Sequence, residues 1–64
     1  MKWVEVSENL FVNLNLVTDI FLVLEKEKYR WVFSFGDEDF IKGKSFDSEK
    51  EAREWLKNNI LNGF

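Results

Sequence analysis

The chain contains no cysteine, no histidine and no proline, and only three glycines and one methionine. Without cysteine there is no disulfide and no thiolate metal site. Without histidine the common zinc sites are excluded, and no side chain titrates near neutral pH in its ordinary state. Ser7, Ser34, Ser45 and Ser48 lack the setting of an activated nucleophile. Gly36, Gly43 and Gly63 do not form a phosphate-cradling loop. The longest uninterrupted apolar run is five residues, Ile20 to Leu24, far short of the ~20 needed to span a membrane. The opening Met1-Lys2-Trp3-Val4-Glu5 has no long apolar core and carries an early acid, unlike a secretory leader. These absences predict a cytoplasmic, non-enzymatic protein with no cofactor and no metal.

What is present is aromatic. Eleven of the 64 residues are aromatic, seven of them Phe. That is a large hydrophobic payload for one small domain, residues 1–64, whose folding buries only about 60% of its surface. With no covalent or metal staple, close packing or oligomerisation must stabilise it. Net charge is −3, with both signs interleaved. A nucleic-acid binder is expected to carry a basic face, so nucleic acid is not the expected partner.

The patterning predicts an α+β fold: an antiparallel sheet of four to five strands with one C-terminal helix packed on one face. Lys2 to Val6 alternates as a short strand, Val4 and Val6 on one side. Ser7-Glu8-Asn9 is turn chemistry. Leu10 to Leu14 is a second strand, with Asn13 and Asn15 marking a bend. Thr18 to Glu25 is β-branched and aromatic, and apolar on both faces. Glu25-Lys26-Glu27-Lys28 connects it to the next strand. With no glycine there, a longer or type I turn is expected. Tyr29 to Phe35 alternates strictly. Gly36 to Asp39 is an acidic loop, and Phe40 to Lys44 a short edge strand guarded by Lys42 and Lys44.

The helix has the clearest local signals. Ser48-Glu49-Lys50-Glu51 has the form of a capping box, with Asp47 as a rival cap. Ala52, Trp55, Leu56 and Ile60 recur at helical spacing. Glu49 and Arg53 form an i, i+4 pair, and Gly63 is a C-terminal stop. The segment from Lys44 to Leu56 resembles the strand-to-helix closure of several small modules. It is similar to arm-type DNA-binding domains of tyrosine integrases, WGR domains and SPOR domains. The likeness covers about a fifth of the chain. It implies a capped amphipathic helix following a strand, and no functional residue.

Two constellations compete as a binding surface. Strand 18–25 points Ile20, Leu22 and Leu24 one way and Phe21 and Val23 the other, and a single helix covers only one row. The uncovered row, extended by Val32 and by Val4 or Trp3, would be an apolar patch of the kind that marks an interface. The candidate interface is therefore Ile20, Phe21, Leu22, Val23, Leu24 and Val32, its expected partner a second copy of the chain or another protein. The alternative is single-stranded nucleic acid stacked on Tyr29, Trp31, Phe33 and Phe35, with Arg30 on the backbone. The competing assignment for that row is the core, beneath Trp55, Leu56 and Ile60. Asp37-Glu38-Asp39 lacks the spacing of a calcium loop, and Asp19 is expected to cap a turn with Thr18.

Overall fold

The computed structural model describes residues 2–36 and 38–61. It is α+β, with the element order β1 (Trp3–Ser7), β2 (Leu10–Asn13), a 3-10 turn (Leu14–Leu16), β3 (Asp19–Glu25), β4 (Lys28–Ser34), β5 (Phe40–Phe46) and α1 (Glu49–Asn59).

The strands divide into two antiparallel sheets, a β1–β2 hairpin and a three-stranded β3–β4–β5 sheet. The expectation of one sheet of four to five strands is corrected here, and the cause is local. The Asn13 side chain accepts a hydrogen bond from the Asn15 backbone N–H at 3.0 Å. Val17 N–H then donates to the Leu14 carbonyl. This tight turn ends β2 and redirects the chain, so β2 and β3 never pair.

The hairpin instead packs beside α1 on one face of the three-stranded sheet. Val4, Val6 and Val12 from the hairpin join Trp31 and Phe33 from β4 and Ala52 and Ile60 from the helix segment in a single core. The expectation that the helix alone closes the sheet is thus corrected too. Gly43 permits the close approach. A Cβ at Gly43 would stand 3.0 Å from the Val6 carbonyl oxygen and 3.5 Å from the Phe33 ring. The same position carries a bulge: β4 and β5 shift register between Arg30 and Val32, leaving Gly43 and Lys44 opposite Trp31.

The β3–β4 connection is a two-residue loop, since Glu25 pairs with Lys28. Lys26 and Glu27 both have positive φ, 52° and 64°, which is a type I′ turn. The longer or type I turn expected from the missing glycine does not form. Strand twist on both sides of a two-residue loop favours the primed turn, even where the residues are poorly suited to it.

Ser48 caps α1, its hydroxyl accepting from Glu51 N–H at 3.1 Å. Asp47, the rival cap, instead pairs with Lys28. Arg53 bonds Glu49 at 2.7 Å, the expected i, i+4 pair. The indole N–H of Trp31 donates to the Ala52 carbonyl at 2.8 Å. That bond ties the helix to β4 and satisfies a polar group that would otherwise be buried unpaired. Trp55 meets Phe33 edge to face at 6.4 Å and tilts against Phe46 at 6.1 Å. The stop expected at Gly63 lies outside the described residues.

Candidate interaction face

Side chains alternate across a strand, so one face of the three-stranded sheet is fixed once the other is buried. Ile20 and Leu22 pack against the core alongside Tyr29, Ile41 and Phe46. Asp19, Phe21, Val23 and Glu25 therefore point to the opposite side. The register sets Phe21 beside Val32 and Val32 beside Lys42; one row along, Asp19, Ser34 and Phe40 stand together. Phe21 is 49% exposed and Phe40 57%. Val23 is half-buried. Val32 is only 3% exposed. It lies between two cross-strand neighbours, Phe21 and Lys42, and outside the core cluster. These residues line an open groove of about 400 Å³.

Charged residues surround the apolar set, with Glu38, Asp39 and Lys42 in the lining of the groove itself. At one end are Asp19, at the start of β3, and Glu38 and Asp39, in the loop before β5. None of the three forms an ion pair among the described residues. The Thr18 hydroxyl lies 3.4 Å from Asp19 and 3.2 Å from the Ser34 carbonyl, and Asp19 opens β3 rather than capping a turn. At the end of β3, Glu25 meets Lys42, which belongs to the Phe21–Val32 row, at 2.8 Å, and Arg30 at 3.7 Å. Arg30 also donates from Nε to the Gly43 carbonyl at 2.8 Å. The hydrogen bond from Lys42 holds the Glu25 carboxyl below its usual range. Burial opposes this, and the charges of Lys42, Arg30 and Lys26 add to it.

The sequence-derived interface set therefore splits by face. Phe21, Val23 and Val32 come together on the outer side. Ile20 and Leu22 pack against the core, so of the two rows read along β3 theirs is the inner one and they leave the candidate interface. Leu24 points to the core side but stands at the open edge, 63% exposed. Val4 is in the core, and Trp3 lies on the outer side of the hairpin beside Glu5 and Phe11 rather than extending the patch. Phe40, absent from the sequence-derived set, is a principal member. Its signal was the alternation of Phe40 and Lys42 against Ile41, readable only once β5 is registered on β4.

The alternative stacking row is not displayed. Trp31 and Phe33 are buried at 6% and 0% exposure. Tyr29 and Phe35 pack partly against the same core, and Arg30 sits on the opposite face from them. The row is a core row beneath the helix, as the competing assignment had it. Among the described residues, no group of three or more metal-ligating side chains is placed to hold an ion, and no helix is long and apolar enough to cross a membrane. A second groove, of about 700 Å³, runs between β1 and α1 past Trp3 and Trp55, with Glu5, Glu8, Lys2 and Lys44 mixed along it. No protein-family model, curated protein or solved structure matches the chain.

Proposed function

We propose that the chain is a non-catalytic interaction domain that associates with itself through the outer face of its three-stranded sheet. The observation that supports this is the set Phe21, Val23 and Phe40 around the nearly buried Val32, over which no element among the described residues is laid. Covered sheets bury both faces, and a face left open normally alternates to polar residues. Here the open face keeps two Phe rings in water, and contiguous apolar surface of this kind is characteristic of interaction sites.

The size of the patch sets the strength. Half-exposed Phe side chains of roughly 200 Å² each, with part of Val23, amount to about 250 Å² per copy. Even with a polar rim, that is at or below the small end of specific interfaces, which begin near ~1,200 Å² in total. The association is therefore weak and reversible, with a dissociation constant on the order of 10⁻⁵–10⁻⁴ M. Sedimentation velocity over increasing concentration tests it. The double variant Phe21→Thr/Phe40→Thr, which keeps residues suited to a strand, is expected to remain folded and monomeric. Self-association undiminished in that variant would place the contact elsewhere.

A further inference from the structure

We propose that the edge of β3 takes up an extended segment of a partner protein as a further antiparallel strand, the segment carrying a basic residue opposite Asp19. The proposal goes beyond the self-association above and uses a different surface. β3 stands at the edge of its sheet. The two-residue turn closes on Glu25 and Lys28 as a hydrogen-bonded pair, and that pattern recurs at every second residue. Phe21 and Val23 therefore bond to β4 as Glu25 does, while the backbone N–H and C=O groups of Ile20, Leu22 and Leu24 point away from β4, along the edge. Sheet edges are normally blunted by lysine, proline or a bulge. β5 has Lys42, Lys44 and a bulge against β4. β3 has none of these: it pairs with β4 without a register shift and holds neither lysine nor proline.

The surroundings of the edge define what the added strand carries. Its residues opposite Ile20, Leu22 and Leu24 turn inward, and those opposite Phe21 and Val23 turn outward. On the inner side, at the start of β3, lies a groove of about 360 Å³ whose lining includes Leu14, Val17, Ile20, Ile60 and Leu61. It is placed to take the side chain opposite Ile20, and pockets for alternate side chains give strand addition its specificity. Asp19 forms no ion pair among the described residues, whereas Glu25 is engaged by Lys42 and Arg30. A Lys or Arg across from Asp19 supplies the missing opposite charge. A second copy of β3 does not. The antiparallel register that pairs every edge group of Ile20, Leu22 and Leu24 centres on Leu22 and sets Asp19 against Glu25 at both ends, like charge against like. The occupant is therefore a foreign segment, apolar at alternate positions, with a basic residue directly after the last of them.

The probe is the blocked peptide acetyl-Ser-Val-Thr-Ile-Thr-Leu-Lys-Lys-amide. With its Val and Ile opposite Leu24 and Leu22, its Leu falls opposite Ile20 and its first Lys opposite Asp19. Amide hydrogen exchange read by NMR at about 50 µM protein follows the edge residue by residue. In the free chain the amides of Ile20, Leu22 and Leu24 are expected to exchange faster than those of Phe21, Val23 and Glu25. Peptide at about 1 mM is expected to slow the first three by about tenfold. N-methylation of the peptide's Val, Ile and Leu, whose N–H groups face the edge, is expected to abolish this. N-methylation of its two Thr, whose N–H groups face away, is expected to leave affinity within about threefold. Asp19→Lys is expected to weaken binding by about fivefold and to favour instead the peptide with Glu in place of both Lys. No slowing at millimolar peptide overturns the proposal. Equal losses from the two methylation patterns overturn strand addition, and an Asp19→Lys chain that binds both peptides as wild type does overturns the basic residue. Protection of the three edge amides that grows with protein concentration, without peptide, would give the edge to a second copy instead.

Discussion

Gly43 and Glu25 show how much of this structure is decided at single positions. Gly43 is buried where the hairpin crosses β5, and its missing side chain is what lets the Val6 carbonyl approach. Gly43→Ala would put a methyl 3.0 Å from a backbone oxygen, so hairpin and sheet must separate slightly. The expected cost is about 1–3 kcal/mol, the usual range for overpacking, read as a lowered urea midpoint with unchanged slope. A variant as stable as wild type would show that the hairpin is free to shift. Glu25 acts through charge. Its folded pKa lies below its unfolded value, so the stability it contributes is present above the unfolded pKa and lost as pH falls through the folded one. Lys42→Gln removes the hydrogen bond that dominates the shift. The stability gap between this variant and wild type is therefore expected at neutral pH and should close in acid. Denaturant melts in series from pH 7 downward would show it, and a gap that persists unchanged in acid would assign the effect to packing instead.

At the scale of elements, the β3–β4 hairpin is held in a turn its residues do not favour. Lys26 and Glu27 both occupy the left-handed region, which suits Gly and Asn. Glu27→Gly is expected to stabilise the protein by about 0.5–1 kcal/mol, because strain relieved in the folded turn exceeds the extra freedom gained unfolded. Thermal melts decide it, and a fall in melting temperature would contradict the turn assignment. This element also marks the limit of what the sequence showed. The five strands and the helix were legible, most boundaries falling within a residue or two, because alternation and the Ser48 cap are local signals. The turn type was not: glycine signals a primed turn, but its absence does not forbid one when both strands twist into a two-residue loop. Nor was the split into two sheets. It depends on Asn13 capping one 3-10 turn and on Gly43 of β5 admitting the backbone of β1. The second of these is a tertiary event with no periodicity to announce it. The face was half legible for the same reason. The two-sided apolar character of β3 was plain, whereas Phe40 joined it only through the register of β5.

Among the described residues the molecule is a sheet fold packed on one side, with β3 at the edge of its three-stranded sheet. Trp31, Phe33 and Trp55 close the inner face through one indole hydrogen bond and an edge-to-face ring contact. The outer face keeps Phe21 and Phe40 half-exposed beside Val23 and Val32, the set on which the proposed self-association rests. The measurement that tests this most directly is the sedimentation-equilibrium mass of the wild-type chain from about 10 µM to 1 mM, beside Phe21→Thr/Phe40→Thr. The expected result is a wild-type mass climbing from 7.7 kDa toward twice that value, with the variant fixed at the lower figure. A wild-type mass that stays at 7.7 kDa throughout, with cooperative unfolding intact, would contradict self-association through this face.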